Sequence, residues 1–352
     1  MSSHGYGHAA RQAAVLIELH RLQPQWRLVV STDVDSQFLN LALQGVPFEH
    51  RKLRWDVGMV QANALAIDQI ATLKALQELE QDIPAQIAVE VSWIQSQRMS
   101  VLVLADIPPA AAELADQLGV PLVWMGNFGW DEIYAPLGDF FLTHAEAAAV
   151  EYSRGQKLLR CPFSLAMNWG LPEQSLGITA PSPRSLPLEL QQKLESFKGP
   201  IVMVGFGGLG LALDSALFQR WPDHLFLMPK PRFADTCLSM QSPENVFYLP
   251  SSIRVVDALP YCSRHLGKPG YSSFCEAISL GVGLHVVLRD GFAESMALIN
   301  GLQSHAAHRL LEREALELGE WELDQPLIPA AHEPLAVDGS LAAARAVVEL
   351  VA

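Results

Sequence analysis

The chain is short of cations, short of cysteine and without any long uninterrupted apolar run. Its 352 residues include 24 Lys and Arg against 38 Asp and Glu, a net charge of −14. Nucleic acid and anionic membrane surfaces are held by clustered Lys and Arg, so neither is expected as a partner. The deficit leaves room for a phosphate-bearing small ligand, which backbone amides and one or two local cations can hold. The four cysteines, Cys161, Cys237, Cys262 and Cys275, show neither CxxC pairing nor metal-ligand spacing. In a chain this long they read as reduced core thiols, and the expected compartment is the cytoplasm. The N-terminus lacks a basic stretch followed by an apolar run, so no secretory signal is expected. The longest apolar stretch, 201–213, is interrupted by four glycines and is too short to span a bilayer. There is no Walker A sequence, and no His, Cys or carboxylate cluster has metal spacing, so no metal and no resident cofactor are expected.

What is present is apolar and periodic. Hydrophobic residues make up 50% of the chain and charged residues 18%, enough apolar material for packed cores. At about 100–200 residues per domain, the length suggests two domains. Continuous apolar runs at 28–30, 101–104, 122–125, 201–204 and 225–228 alternate with helix-like stretches at 8–22, 64–97 and 109–118. That alternation indicates buried parallel sheets and an α/β fold. A stretch containing Pro172, Pro181, Pro183 and Pro187 reads as a linker. It gives an N-terminal domain over 1–170, a linker over 171–190 and a C-terminal domain over 191–352. One feature is odd. The glycine-rich turn Gly5-Tyr6-Gly7-His8 normally follows a buried strand, yet four residues precede it. The first strand of the N-terminal sheet is therefore expected to be missing.

The segment with most chemical content is Lys268-Pro269-Gly270-Tyr271-Ser272-Ser273-Phe274-Cys275-Glu276. It falls between a strand position and a helix predicted to run to Leu280. A glycine followed by serines at a helix start leaves amides pointing outward, where the helix dipole stabilises an anion. Lys268 adds a point charge. Glu276 lies one turn further on, where a carboxylate can accept two hydrogen bonds from vicinal ribose hydroxyls. The same spacing also fits a capped helix with a glutamate buried at its end.

These nine residues resemble the donor-site pattern of UDP-glycosyltransferases, a basic residue or His followed by x-Gly-aromatic-x-Ser-x-x-Glu. The start of the chain, Ser3-His4-Gly5-Tyr6-Gly7-His8-Ala9-Ala10-Arg11, looks like the acceptor-side loop of the same superfamily. It is similar to a bacterial group of glycosyltransferase-like proteins and to the glycosyltransferase-like module preceding the kinase in plant L-arabinokinase, where the turn reads His-Gly-aromatic-Gly-His-Ala. Asp106-Ile107-Pro108-Pro109, Asn127-Phe128-Gly129-Trp130-Asp131 and Arg289-Asp290-Gly291-Phe292-Ala293-Glu294 also look like that group. The resemblance thus spans nearly the whole chain.

The resemblance implies the GT-B architecture, two Rossmann-like domains facing a cleft, with the acceptor bound by the first and a nucleotide-sugar by the second. Ser272, Ser273 and the amides around Gly270 would hold the donor diphosphate, with Lys268, Tyr271 and Arg289 beside them. Glu276 would hold the ribose and Glu294 the sugar hydroxyls. His8 would be the general base on the acceptor hydroxyl, since imidazole titrates near neutrality. Asp106 would orient it, and the spacing suits a dyad bridging the first and fourth strand ends of one sheet. The family has an apolar strand before Lys268, whereas this chain reads Ser263-Arg264-His265-Leu266, two of whose side chains would be costly to bury.

Weaker signals admit plainer readings. His4 is either a second catalytic imidazole or a residue that shapes the turn, and His4 and Tyr6 are the acceptor-binding candidates of that turn. Asn127 and Trp130 either form an acceptor platform or pack a loop. Gly205-Phe206-Gly207-Gly208-Leu209-Gly210 fits a dinucleotide pattern, but the next strand ends at Pro229-Lys230 where that site needs an acid. Gly207 and Gly208 fit better as a loop that lets the donor approach the backbone. Asp33-Val34-Asp35 spells a metal-binding D-x-D, but its place before Ser36 fits a helix cap.

Together these features imply an enzyme, a hexosyl- or pentosyltransferase. It would move sugar from a nucleotide-sugar substrate to the hydroxyl of a small-molecule or lipid-linked acceptor without a metal, and the resemblance implies that it does so with inversion. Two other readings stand beside it. One is a module that binds a nucleotide-sugar without turnover, favoured by the absent first strand and the polar strand. The other is a sugar-nucleotide epimerase or hydrolase on the same fold.

Overall fold

The structure, a computed structural model, describes residues 1–63, 66–206, 213–230, 243–288 and 292–351. Gly207, Gly208, Arg289 and Cys237 lie outside the described residues.

The first half opens with α1 (Gly7–Leu22), β1 (Val29–Ser31), α2 (Ser36–Ala42) and β2 (Glu49–Arg51). A two-stranded pair, β3 (Gln61–Asn63) and β4 (Ala66–Ile67), precedes α3 (Gln69–Ser96), β5 (Val103–Ala105), α4 (Ala111–Leu118) and β6 (Leu122–Gly126). Then come α5 (Trp130–Tyr134), α6 (Asp139–Tyr152), β7 (Lys157–Arg160) and β8 (Glu173–Ser175). The second half begins with α7 (Leu188–Ser196), β9 (Ile201–Gly205), α8 (Ser215–Gln219), β10 (Leu225–Pro229) and β11 (Val246–Leu249). It continues through α9 (Val255–Ala258), β12 (Arg264–Gly267), α10 (Tyr271–Ser279) and β13 (Gly283–Val287). It ends with α11 (Glu294–His305), β14 (His308–Leu311), α12 (Arg313–Glu317) and α13 (Gly339–Glu349).

The apolar runs read as strands do become strands, because nothing but pairing on both edges and cover on both faces satisfies such segments. In the second half six parallel strands line up as β11-β10-β9-β12-β13-β14. The order reverses beside β9, so the carboxyl ends of β9 and β12 flank a switch point, where open parallel sheets bind ligands. There Gly205 stands opposite Gly267. A Cβ on Gly267 would lie 2.4 Å from the Gly205 carbonyl oxygen, so this approach requires glycine.

Besides the antiparallel pair β3-β4, the first half carries two parallel sheets, β1-β2 and β5-β6-β7-β8. Among the described residues no strand joins β1 to β5 in one sheet. Residues at the start of the chain bridge the two sheets at one end. The Met1 amino group donates to the Ser31 carbonyl at 2.9 Å, and the Ser2 amide donates to the Asp106 carbonyl at 3.0 Å. Further down the gap, Val29 stays 40% exposed.

Helix starts follow local chemistry. The expected helix at 64–97 begins instead at Gln69, where Asp68 accepts from the Ala71 amide at 2.9 Å and acts as its cap. Asp35 caps α2 through the Gln37 amide at 2.8 Å, so the D-x-D reading gives way to the helix-cap reading. The halves are packed through a common core in which Val15 and Leu19 of α1 join Tyr271 and Phe274 of α10 and Ala343 and Val347 of α13. The Gly339 amide donates to the Ile178 carbonyl at 3.1 Å, tying the last helix to the segment after β8. Cys161, Cys262 and Cys275 are buried free thiols.

Candidate active site

The site begins in the first turn of α1. His8, Arg11 and Gln12 stand at i, i+3 and i+4, so their side chains share one helix face. That face is buried against Asp106, which follows the carboxyl end of β5. His8 Nδ1 lies 2.8 Å from Asp106 Oδ1. Arg11 grips the same carboxylate with a fork, Nη2 to Oδ1 at 2.5 Å and Nε to Oδ2 at 2.9 Å. Gln12 Nε2 donates to Oδ2 at 3.0 Å.

Burial alone would push the Asp106 carboxyl up, but the charges of Arg11 and His8 overcome it and hold the group well below the usual carboxylate range. Burial likewise works against the Arg11 charge, and the Asp106 carboxylate holds it well above its ordinary value. An ionised carboxylate only accepts, so the hydrogen in the 2.8 Å contact belongs to His8 Nδ1. With the imidazole neutral, that tautomer leaves on His8 Nε2 the lone pair that a general base needs. Arg11 Nη2 also lies 3.1 Å from His8 Nδ1, but a nitrogen already donating to Asp106 cannot accept from Arg11 as well.

The second half meets this site at three points. The Ser272 hydroxyl, in the first turn of α10, donates to the Gly7 carbonyl at 2.7 Å. The Tyr271 ring lies under the Arg11 guanidinium, 4.6 Å from centroid to carbon, while its hydroxyl pairs with Thr179 at 2.9 Å. Glu294, at the start of α11, accepts from Asn127 Nδ2 at 2.8 Å, and Asn127 Oδ1 accepts from Arg11 Nη1 at 2.7 Å. These contacts leave the N-terminal turn and the start of α10 face to face.

Each residue singled out by sequence has a definite place. Gly270 precedes α10 in an extended conformation, and Ser273 and Lys268 are half-buried beside it. Glu276 is half-buried one turn into α10. Burial pushes its carboxyl up to about 7, with Arg254 pulling the other way and Asp257 adding to the rise. His4 Nδ1 accepts from the Met59 amide at 3.3 Å, and its ring meets the edge of Trp130 and stacks on Phe292. Tyr6 stacks on Phe38. Trp130 is buried, stacked on Tyr134, with its indole N–H on Asp56 at 2.8 Å. Asn127 joins both halves.

Arg11, Gln12 and Phe292 were missed as site residues. The signal for the first two was present, because a polar pair three and four positions after His8 interrupts an otherwise apolar helix face. Of the two polar residues in β12, Arg264 turns outward to the Gln325 carbonyl at 2.5 Å. His265 stays buried with neither ring nitrogen hydrogen-bonded among the described residues.

Parallel sheets in each half, the switch point beneath α10 and the histidine–aspartate pair facing it define the GT-B fold. Solved structures similar to it in fold include glycosyltransferases. Among them are UGT2 of Phytolacca americana complexed with UDP-2-fluoroglucose and pterostilbene (14% identity, 99% of this chain and 88% of that one, TM-score 0.59) and UGT89C1 of Arabidopsis thaliana complexed with quercetin (15%, 96% and 86%, TM-score 0.58). A third is the calicheamicin glycosyltransferase CalG4 (15%, 97% and 90%, TM-score 0.57). In sequence, the chain is 27% identical over 330 residues to L-arabinokinase of Arabidopsis thaliana, a match covering 91% of this chain and 31% of that protein. The chain therefore spans about a third of the length of that relative. No protein-family model matches it. None of the helices in the described residues is long and apolar enough to cross a membrane.

Proposed function

We propose that the chain is a glycosyltransferase that moves a hexosyl or pentosyl group from a nucleotide-sugar to an acceptor hydroxyl, with inversion and without a metal or cofactor. The observation that carries this reading is the contact of His8 Nδ1 with Asp106 at 2.8 Å, which leaves Nε2 as a base, opposite the amides at the start of α10. Residues 1–170 would serve the acceptor and 191–352 the donor. His8 takes the proton of the acceptor hydroxyl as that oxygen attacks the anomeric carbon from the face opposite the departing diphosphate. Asp106 supports the imidazolium that forms. Negative charge building on the diphosphate is met by the α10 amides, Ser272, Ser273 and Lys268. Glu276 accepts from the ribose hydroxyls and Glu294 from the sugar.

The test is donor consumption per folded molecule. His8→Ala should remove about 100- to 10,000-fold of the turnover, the scale of a general base, while nucleoside diphosphate affinity stays nearly unchanged. Asp106→Asn should cost less than His8→Ala. If both variants keep full per-molecule activity, the dyad is structural and the reading fails. One observation supports a second reading, a module that binds a nucleotide-sugar without turnover. Among the described residues β1 and β5 share no sheet, which weakens the frame that holds His8 and Asp106 and leaves the donor half intact. Binding of uridine diphosphate without consumption of any UDP-sugar would favour it.

A further inference from the structure

Arg11 is the most connected polar side chain at the meeting of the two halves. It is buried on α1, and each of its three nitrogens has an acceptor. Nε and Nη2 hold Asp106 at 2.9 and 2.5 Å, and Nη1 holds Asn127 Oδ1 at 2.7 Å. Because the guanidinium only donates, the Asn127 oxygen must face it, and the Asn127 amide nitrogen is thereby turned to Glu294, where it donates at 2.8 Å. The flat face of the guanidinium lies on Tyr271 at 4.6 Å. One side chain thus touches the carboxylate that orients His8 and reports on two residues of the opposite half.

The fork geometry has a consequence for His8. Asp106 Oδ1 is where the His8 Nδ1 hydrogen goes, and the position of that oxygen is set by two parallel bonds from a rigid planar group. A lysine supplies the same charge as a point, without fixing the carboxylate plane. Arg11 also sits 3.1 Å from His8 Nδ1, so if the fork turned away from Asp106 its N–H could bond that nitrogen instead. The imidazole would then carry its hydrogen on Nε2 and could not act as a base there.

We infer that Arg11 is a positioning residue that couples closure of the two halves to the tautomer of His8. With Tyr271 and Glu294 in place, the guanidinium is held in the orientation that fixes Asp106 and leaves His8 Nε2 bare. When they move away, the hold on Asp106 loosens. The inference rests on the reading of His8 as the base, so its test needs a readout that does not depend on turnover.

That readout is the nitrogen-15 spectrum of the histidines, with the His8 signals assigned from the His8→Ala variant. The native protein should show a protonated Nδ1 and a bare Nε2 at His8, and the signals should respond to added uridine diphosphate. Arg11→Lys should move them toward a mixture of tautomers and lower kcat at least about 10-fold, with the dissociation constant of uridine diphosphate within about twofold. His8→Ala should then cost much less in the Arg11→Lys background than in the native one, because both act through one proton transfer. Should Arg11→Lys fail to fold, Asn127→Ala keeps the Arg11–Asp106 pair. It should move the His8 signals partway toward the mixture and weaken their response to uridine diphosphate, because Glu294 no longer reaches the guanidinium through Asn127. Unchanged His8 signals in Arg11→Lys, an equal cost of His8→Ala in both backgrounds, or a full uridine diphosphate response in Asn127→Ala overturns the inference. A native protein that consumes no donor but shows the tautomer shift overturns the reading of His8 as a base and leaves the hold of Arg11 on it standing.

Discussion

Asn127 donates from its amide nitrogen to Glu294 at 2.8 Å, although 167 positions separate the two residues in the chain. The bond joins the loop after β6 to the start of α11 and therefore one half to the other. Glu294 is proposed to accept from sugar hydroxyls. Glu294→Gln keeps its shape but replaces a charged acceptor with a neutral one. The expected loss is about 1–3 kcal/mol, the scale of a hydrogen bond to a charged group. It should fall on UDP-sugar affinity and spare uridine diphosphate. Calorimetric titration with both ligands checks this, and an equal loss for the two would remove Glu294 from the sugar site.

Glu276 gives a pH-dependent prediction. Burial raises its carboxyl from 4.5 to about 7. In the folded chain the proton is therefore bound at pH values where the unfolded chain has released it. Stability from this group is full below 4.5, falls as pH rises through the window to about 7, and is level above it. Glu276→Gln should be more stable than the native protein at pH 8, and the difference should shrink toward zero near pH 4. Urea midpoints across that range measure it. A gap that is constant with pH would mean that Glu276 does not titrate in this window.

His265 works in the opposite direction. Burial lowers its imidazole from 6.5 to about 4, opposed in part by the backbone of Ser273. The unfolded chain takes a proton that the folded chain refuses, so stability is full above 6.5 and is lost as pH falls toward about 4. His265→Leu should flatten this slope. It should also raise stability at pH 7 by about 1–3 kcal/mol, the cost of a buried polar group without a partner. A steeper acid slope in His265→Leu than in the native protein would contradict this. His285, on the opposite face one strand away, is lowered to about 3 and adds to the acid loss in both proteins.

How much of this was legible in the sequence depends on range. Five strands were readable because each contains a continuous apolar run, and a run such as Ile201–Gly205 carries its own evidence of burial on both faces, whereas β2 and β8 carry no such run. The α10 start was readable because glycine, serines and glutamate lie within one turn and a half. The start of α3 was misplaced because Ala66 and Ile67 pair as β4 instead of extending the helix. No local pattern distinguishes a two-residue strand from a helical turn. The Asp106–Arg11–Asn127–Glu294 chain was out of reach as a whole. Its links span 95, 116 and 167 positions, and what fixes them is the packing of α1 against α10 and α13. The His8, Arg11 and Gln12 spacing was visible, yet three polar residues on one helix face read equally well as a solvated stripe until Asp106 is placed against them.

The last prediction concerns the Asp106–Arg11 pair as a determinant of stability. Both side chains are almost wholly buried, at 0% and 1% exposure. A buried pair is weak evidence of net stabilisation, because removing two charges from water costs about as much as their attraction returns. Breaking it is different. Asp106→Asn leaves the Arg11 guanidinium buried without its counter-charge, an expected loss of about 3–5 kcal/mol. Arg11→Met leaves the Asp106 carboxylate in the same position, still contacted by His8 and Gln12, and should cost somewhat less. The double variant strands neither charge, so it should be more stable than Asp106→Asn alone, with a coupling of up to about 3 kcal/mol. The acid side gives a second check. Asp106 is held well below its ordinary 3.8, so its stabilisation is present above that value and is lost as pH falls through the acid range below it. Asp106→Asn should lose that part of the acid slope. Denaturation of the two single variants and the double variant at pH 7 and pH 3 decides the matter. Additive losses at pH 7 would mean that the two charges do not depend on each other, and the grip of Arg11 on Asp106 would then be incidental to the fold.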